Sequence, residues 1–135
     1  MRLELDKLII VEGKTDKEKL LPLLNEPVQI VCTHGTVGTE QMEELIELTE
    51  RQEEVFILVD ADSAGNKLRR QLKRELPNAK HLYIRKMHKE VARTPVPDLI
   101  KVLEHAHFQV NDDPLIKHEG DLLCYETYQP NNCNK

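Results

Sequence analysis

The sequence predicts an α/β fold, a small open and mainly parallel sheet with helices on both faces. Three observations lead there. Short apolar runs (Leu8-Ile9-Ile10-Val11, Val28-Gln29-Ile30-Val31-Cys32, Val55-Phe56-Ile57-Leu58-Val59 and His81-Leu82-Tyr83-Ile84) alternate with stretches of helical periodicity. The run at 55–59 is short, β-branched and apolar throughout, as a strand covered on both sides must be. The segments between runs have the length that a right-handed crossover between parallel strands requires.

Each element has a local reason. After the first strand, Thr15-Asp16-Lys17-Glu18 has the spacing of a capping box and opens a helix that carries Leu20, Leu21, Leu23 and Leu24. Pro27 separates that helix from the second strand. Thr33-His34-Gly35-Thr36-Val37-Gly38 is a loop, and Thr39 is placed to cap a helix with Met42, Leu45, Ile46 and Leu48 at helical spacing. After the third strand, Ser63 is the simplest cap for a helix with Leu68, Leu72 and Leu76 on one face, closed by Pro77-Asn78. The fourth strand follows, and a last helix begins near Pro97-Asp98 with Leu99, Ile100, Leu103 and Ala106 packed inward. Leu8, Ile10, Ile30, Ile57, Leu58 and Val59 are the expected core. Residues 1–108 form the expected domain. Residues 109–135 form an extension, partly disordered, with a turn at Asn111-Asp112-Asp113-Pro114 and a polar end from Gln129.

A chain of 135 residues suits one domain. With 32% charged residues, 4% aromatic ones and no Trp, its core must be aliphatic. No run approaches the ~18 apolar residues of a membrane span, and Met1-Arg2-Leu3-Glu4-Leu5-Asp6 is too charged for a signal peptide. Cys32, Cys124 and Cys133 give neither a zinc spacing nor a paired disulfide framework, so the expected address is a reducing cytoplasm. The net charge of −5 argues against nucleic acid as a partner, but the distribution does not. Between Glu40 and Glu54 stand seven acids and one base, and between Lys67 and Arg93 ten bases and two acids. The basic third is either a phosphate-binding face or a solvated helix surface.

The acids at the strand tips carry the chemistry. Asp60-Ala61-Asp62 ends the third strand, and Glu12-Gly13 ends the first. Open α/β sheets bind ligands at the C-terminal ends of their strands. Two carboxylates one residue apart repel each other unless a cation lies between them, and hard cations such as Mg²⁺ select oxygen ligands. The plain alternative is that these acids complement helix N-terminal dipoles.

Ile9-Ile10-Val11-Glu12-Gly13-Lys14-Thr15-Asp16, a Gly-containing loop after the second strand, and Val59-Asp60-Ala61-Asp62-Ser63-Ala64-Gly65 together resemble the TOPRIM domain. That domain occurs in DNA primases, topoisomerases, recombination-associated proteins and several nucleases. The resemblance runs from about residue 7 to 90. Within the family the chain is similar to compact bacterial proteins akin to the nuclease that matures small ribosomal RNA, and Glu90-Val91-Ala92 echoes a segment there. The resemblance implies that Asp60 and Asp62 hold Mg²⁺ (or Mn²⁺). It implies that Glu12 joins the metal shell or acts as general acid/base. Gly13 and Gly65 would let backbone approach a phosphate, and Gly35 would serve a turn. Asp16 would support the site or stand as a first-turn helix acid. Lys14, Lys67, Arg69, Arg70 and Lys73 are the candidate nucleic-acid contacts, with Arg69, Arg70 and Lys73 sharing one helix face while Leu68 and Leu72 face the sheet.

Rival readings fail on position. A DxD-type phosphatase carries its motif on the first strand, a phosphorelay receiver ends its first strand in paired acids, and Gly35-Thr36-Val37-Gly38 lacks the Lys-Ser/Thr of a P-loop. Tyr83, Tyr125 and Tyr128 are not topoisomerase nucleophiles, because that tyrosine belongs to a separate domain. The expected function is therefore Mg²⁺-dependent action on nucleic-acid phosphodiesters, RNA or DNA, by a nuclease or phosphotransferase. The alternative is a non-catalytic module that binds metal and nucleic acid, or a partner protein.

Overall fold

A four-stranded parallel sheet forms the middle layer of the computed structural model, which describes residues 7–111. The strands are β1 (Lys7–Val11), β2 (Val28–Cys32), β3 (Glu54–Leu58) and β4 (Lys80–Leu82), in the order β2-β1-β3-β4. Ile9 lies opposite Ile30 on one side and Phe56 on the other, and Leu58 lies opposite Leu82. The chain leaves β1 for β2 at one edge and returns to β3 on the other side of β1. The strand order thus reverses between β1 and β3, and the crevice beyond their C-terminal ends is where such sheets bind ligands.

The helices are α1 (Lys14–Leu20), α2 (Thr39–Glu50), α3 (Ser63–Glu75) and α4 (Val96–His105). Alternation along the central strands feeds two cores. Ile9, Val11, Phe56 and Leu58 pack with Leu20 of α1 and with Leu99 and Leu103 of α4. Leu8, Ile10, Ile57 and Val59 face the other way, against Met42 and Leu45 of α2 and Leu68 and Leu72 of α3. The expected core residues are all buried, Ile30 being the most exposed of them at 5%. Truncating Ile57 to Ala should destabilise the fold by about 2–5 kcal/mol through lost burial and a cavity. Urea unfolding measures this, and a change under about 1 kcal/mol would contradict a strand covered on both faces.

The caps of the first three helices stand one or two residues before those expected. Gly13 caps α1, with Asp16 Oδ2 accepting its N–H at 3.1 Å, so the helix begins at Lys14 rather than near Thr15. Gly38 precedes α2, leaving Thr39 as its first residue. Asp62, not Ser63, caps α3. Pro95 precedes α4, which starts at Val96. Pro22 also breaks the expected long first helix, and Leu21–Leu23 tighten into a 3-10 turn.

The chain past Phe108 still packs on this turn. Val110 bridges Leu24 in antiparallel sense, and the Asn111 N–H donates to the Leu23 carbonyl at 2.7 Å. The expected disordered end, Cys124, Cys133, Tyr125 and Tyr128 lie outside the described residues. Among the described residues, no helix is long and apolar enough to cross a membrane.

Candidate metal and nucleic-acid site

The two central strands deliver acids to the crevice. Glu12 follows Val11 directly, and Asp60 comes two residues after Leu58. Backbone amides orient most of the carboxylates around them. Asp60 Oδ1 accepts the Val91 N–H at 2.9 Å, and the Ala61 N–H donates to the Lys89 carbonyl at 2.6 Å. The segment 89–91 therefore folds back onto the β3 tip, with Lys89 in the left-handed region at φ 64°. Asp62 Oδ1 accepts the Gly65 N–H at 2.8 Å, so this acid does the capping assigned to Ser63 from sequence. On the β1 side, the His34 N–H donates to the Glu12 carbonyl at 2.7 Å. His34 and Gly35 turn there through left-handed backbone, at φ 59° and 104°, and only at Gly35 does the value demand glycine.

The electrostatics are one-sided. Burial holds the Glu12 carboxyl above its ordinary range, and the charges of Asp60, Asp62 and Asp16 push it further the same way. Burial also raises Asp60 and Asp16; an amide hydrogen bond pulls each back, and Glu90 adds to the repulsion on both. Among the described residues, the charges that act most strongly on these three groups are all acidic. Glu12 Oε1 is buried and has no hydrogen-bond partner. Glu90 is the acid that the sequence reading did not assign to the chemistry. Its only signal there was the family echo of Glu90-Val91-Ala92, because its approach depends on how the segment after β4 folds back.

Among the described residues, no three His, Cys, Asp or Glu side chains converge as a ready-made metal cage. Glu12, Asp60 and Asp62 are thus electrostatic neighbours without forming a closed three-ligand site. Mg²⁺ does not need a closed cage, since it binds through one or two carboxylates and keeps waters and substrate phosphates. An all-oxygen donor set and an orphaned buried carboxylate oxygen fit such a cation.

Two of the glycines part company. A Cβ on Gly65 would lie 2.0 Å from the Asp60 carbonyl oxygen, so this glycine lets α3 pack against the β3 tip. That internal contact is by itself enough to require glycine at 65. At Gly13 the backbone is extended, and a Cβ would only touch Asp16 Oδ2 at 3.8 Å. Nothing within the fold requires a glycine at 13.

Among the basic candidates, Lys67, Arg70 and Lys73 are exposed on α3. Lys14 is exposed within 3.9 Å of Glu18, and together with Lys17 and His34 it lines a cleft of about 430 Å³ beside the tips of β1 and β2. Arg69 is a correction. It is only 7% exposed, and its Nη1 donates to His81 Nδ1 at 3.0 Å and its Nη2 to the Leu82 carbonyl at 3.1 Å. Its guanidinium lies 4.2 Å from the centre of the Tyr83 ring. The edge strand β4 is only three residues long, and a long side chain from α3 fills the groove beside it.

Comparison with known proteins agrees with this architecture. The Toprim domain profile matches residues 7–93. The chain is 50% identical over 109 residues to the uncharacterized protein YusF of Bacillus subtilis, covering 80% of this chain and 73% of that one. It is 35% identical over 83 residues to ribonuclease M5 of Mycoplasma pneumoniae, covering 62% of this chain and 46% of that enzyme. It is 29% identical over 118 residues to ribonuclease M5 of Fusobacterium nucleatum, covering 83% and 64%. The chain thus spans less than two thirds of either ribonuclease. The solved structure of a small TOPRIM domain protein from Bacillus stearothermophilus superposes with a TM-score of 0.78 at 46% identity, covering 88% of this chain and all of that one.

Proposed function

Because this chain belongs to the Toprim domain family, we propose that it is a cytoplasmic, Mg²⁺-dependent nuclease acting on phosphodiesters of structured RNA. The observation that carries this reading is the buried, unpartnered Glu12 Oε1 in a carboxyl that Asp60, Asp62 and Asp16 all repel. Buried anions of this kind are costly unless a cation joins them. Asp60 and Asp62 each have one oxygen held by a backbone amide, which leaves the other for the metal. Bound Mg²⁺ would neutralise phosphate oxygens and make a coordinated water more acidic.

The residues of the chain divide the remaining work. Glu12, whose environment favours its protonated form, takes or gives a proton at the scissile phosphate. Asp16 holds the Gly13 amide and so sets the start of α1 beside Glu12. Gly13 lets backbone approach the phosphate, and Lys14, Lys67, Arg70 and Lys73 grip the flanking backbone. A second reading, a binding module without catalysis, is favoured by one fact. The chain spans under half of the Mycoplasma pneumoniae ribonuclease, so more than half of that enzyme lies outside the matched region.

Labelled RNA and DNA incubated with Mg²⁺ or EDTA test the proposal, with an Asp60→Ala/Asp62→Ala double variant as the blank. Cleavage of RNA by the parent with Mg²⁺ alone is the expected result. Binding without cleavage in every arm selects the second reading. Reversing Arg70 and Lys73 to Glu should weaken binding to all sequences alike and flatten its salt dependence by about one unit of slope per lost contact. An unchanged slope would make these residues solvated surface.

A further inference from the structure

The described residues hold three Phe or Tyr rings, and two of them, Phe56 and Phe108, pack against each other at a tilt inside the core. Tyr83 is 58% exposed. Its inner face rests on Arg69, whose guanidinium is buried and held by two hydrogen bonds to His81 and Leu82. The His81 ring stacks alongside at 6.5 Å between centroids and 30° between planes. A ring that rests on a held cation and is still more than half exposed offers surface to a planar ligand.

Its position is equally specific. Tyr83 follows Leu82, the β4 residue that pairs with Leu58, and Asp60 lies two residues past Leu58 on the adjacent strand. The chain then runs from Tyr83 back to the Asp60 carboxylate at Val91. Exposed cations stand nearby in the fold's elements, Arg70 and Lys73 on α3, the helix that carries Arg69, and Arg85 and Lys86 two and three residues after Tyr83. Lys73 reaches this edge closely enough that, after burial and Arg69, its charge helps to push His81 down to about 4.

We propose that Tyr83 is a stacking platform for an unpaired base of the nucleic-acid strand whose backbone crosses the acidic crevice. This rests on the phosphodiester reading of Glu12, Asp60 and Asp62 and deepens it, because it makes the substrate single-stranded beside the cut. Base stacking on an exposed ring combined with a basic track is the general means of holding single strands without reading sequence. The nearby charges favour a polyanion over an apolar protein partner.

Binding of a short single-stranded RNA oligonucleotide, measured in EDTA so that no cleavage intervenes, tests this against an abasic strand of the same length. Tyr83→Leu should weaken binding of the base-bearing strand roughly 5- to 150-fold and leave the abasic strand unaffected. Tyr83→Phe, which keeps the ring, should bind as the parent does. Because the chain contains no Trp, Tyr83→Trp provides a single fluorescent reporter that the base-bearing strand should quench and the abasic one should not. That reporter decides the matter should Tyr83→Leu disturb Arg69. Equal losses for both strands, or no loss and no quenching, overturn the platform while the nuclease reading stands. A parent chain that binds neither RNA nor DNA overturns both.

Discussion

Replacing Glu12 by Gln should lower RNA cleavage by about 10²–10⁴-fold, the usual weight of a positioned proton carrier, and should raise the melting temperature of the metal-free protein. The two effects share a cause. In the folded chain Glu12 is partly buried and is repelled by Asp60, Asp62 and Asp16, so its carboxyl sits above the ordinary value of 4.5. Between those two values the folded state holds more protons than the unfolded one. Stability from this group is therefore complete below about 4.5 and lost as pH rises through the folded value. Gln keeps the shape and removes that loss, so the variant should be the more stable of the two at neutral pH. Thermal melts from pH 5 to 8 with and without Mg²⁺ measure it. Mg²⁺ should raise the melting temperature of the parent by selective binding to the folded state, and should do so less for the variant. A variant that melts as the parent does at every pH would remove the strained-carboxylate account. A variant that cleaves normally would remove the proton carrier.

What was legible in the sequence follows from which interactions are local. The apolar runs at 8–11 and 55–59 mark buried strands because both of their faces must be apolar, and the structure places these residues in two cores on opposite faces of the sheet. The acids at the tips of β1 and β3 were readable because chain order puts them immediately after those runs. Caps were harder to place. Thr15, Thr39 and Ser63 have the right chemistry, but Gly13, Gly38 and Asp62 stand at the caps, and of these only Asp62 caps with its side chain.

Arg69 and Glu90 show a second kind of limit. Helical spacing places Arg69 at the border of the Leu68–Leu72 stripe, and which side of the border it takes depends on the length of the neighbouring strand. Because β4 stops at Leu82, the carbonyl there is left to the guanidinium, and a residue expected on the phosphate face becomes a buried brace. Glu90 acts on Asp60 and Asp16 only because the segment 89–91 returns to the β3 tip through Lys89 at φ 64°. Neither periodicity nor motif spacing encodes that return.

Gly65→Ala should be among the most damaging single-methyl changes in the protein. The added Cβ would lie 2.0 Å from the Asp60 carbonyl oxygen and 2.7 Å from its carbonyl carbon, both backbone atoms that cannot rotate away. The tip of β3 and the first turn of α3 must then separate. Overpacking of this kind costs about 1–3 kcal/mol and occasionally more, and rigid backbone on one side points to the upper end. The displaced segment carries Asp60 at one end and the Asp62 cap, with its bond to the Gly65 N–H, at the other. Stability and Mg²⁺-dependent cleavage should therefore fall together. Gly13→Ala is the informative contrast, because its Cβ meets only Asp16 Oδ2 at 3.8 Å on extended backbone. Folding should tolerate it within about 1 kcal/mol, the scale of an N-cap change, while cleavage falls if a phosphate passes there. Urea unfolding and RNA cleavage on both variants separate the two roles. If Gly65→Ala folds and cleaves as the parent does, the β3 tip is looser than its contacts imply; if Gly13→Ala cleaves normally, no phosphate approaches that backbone.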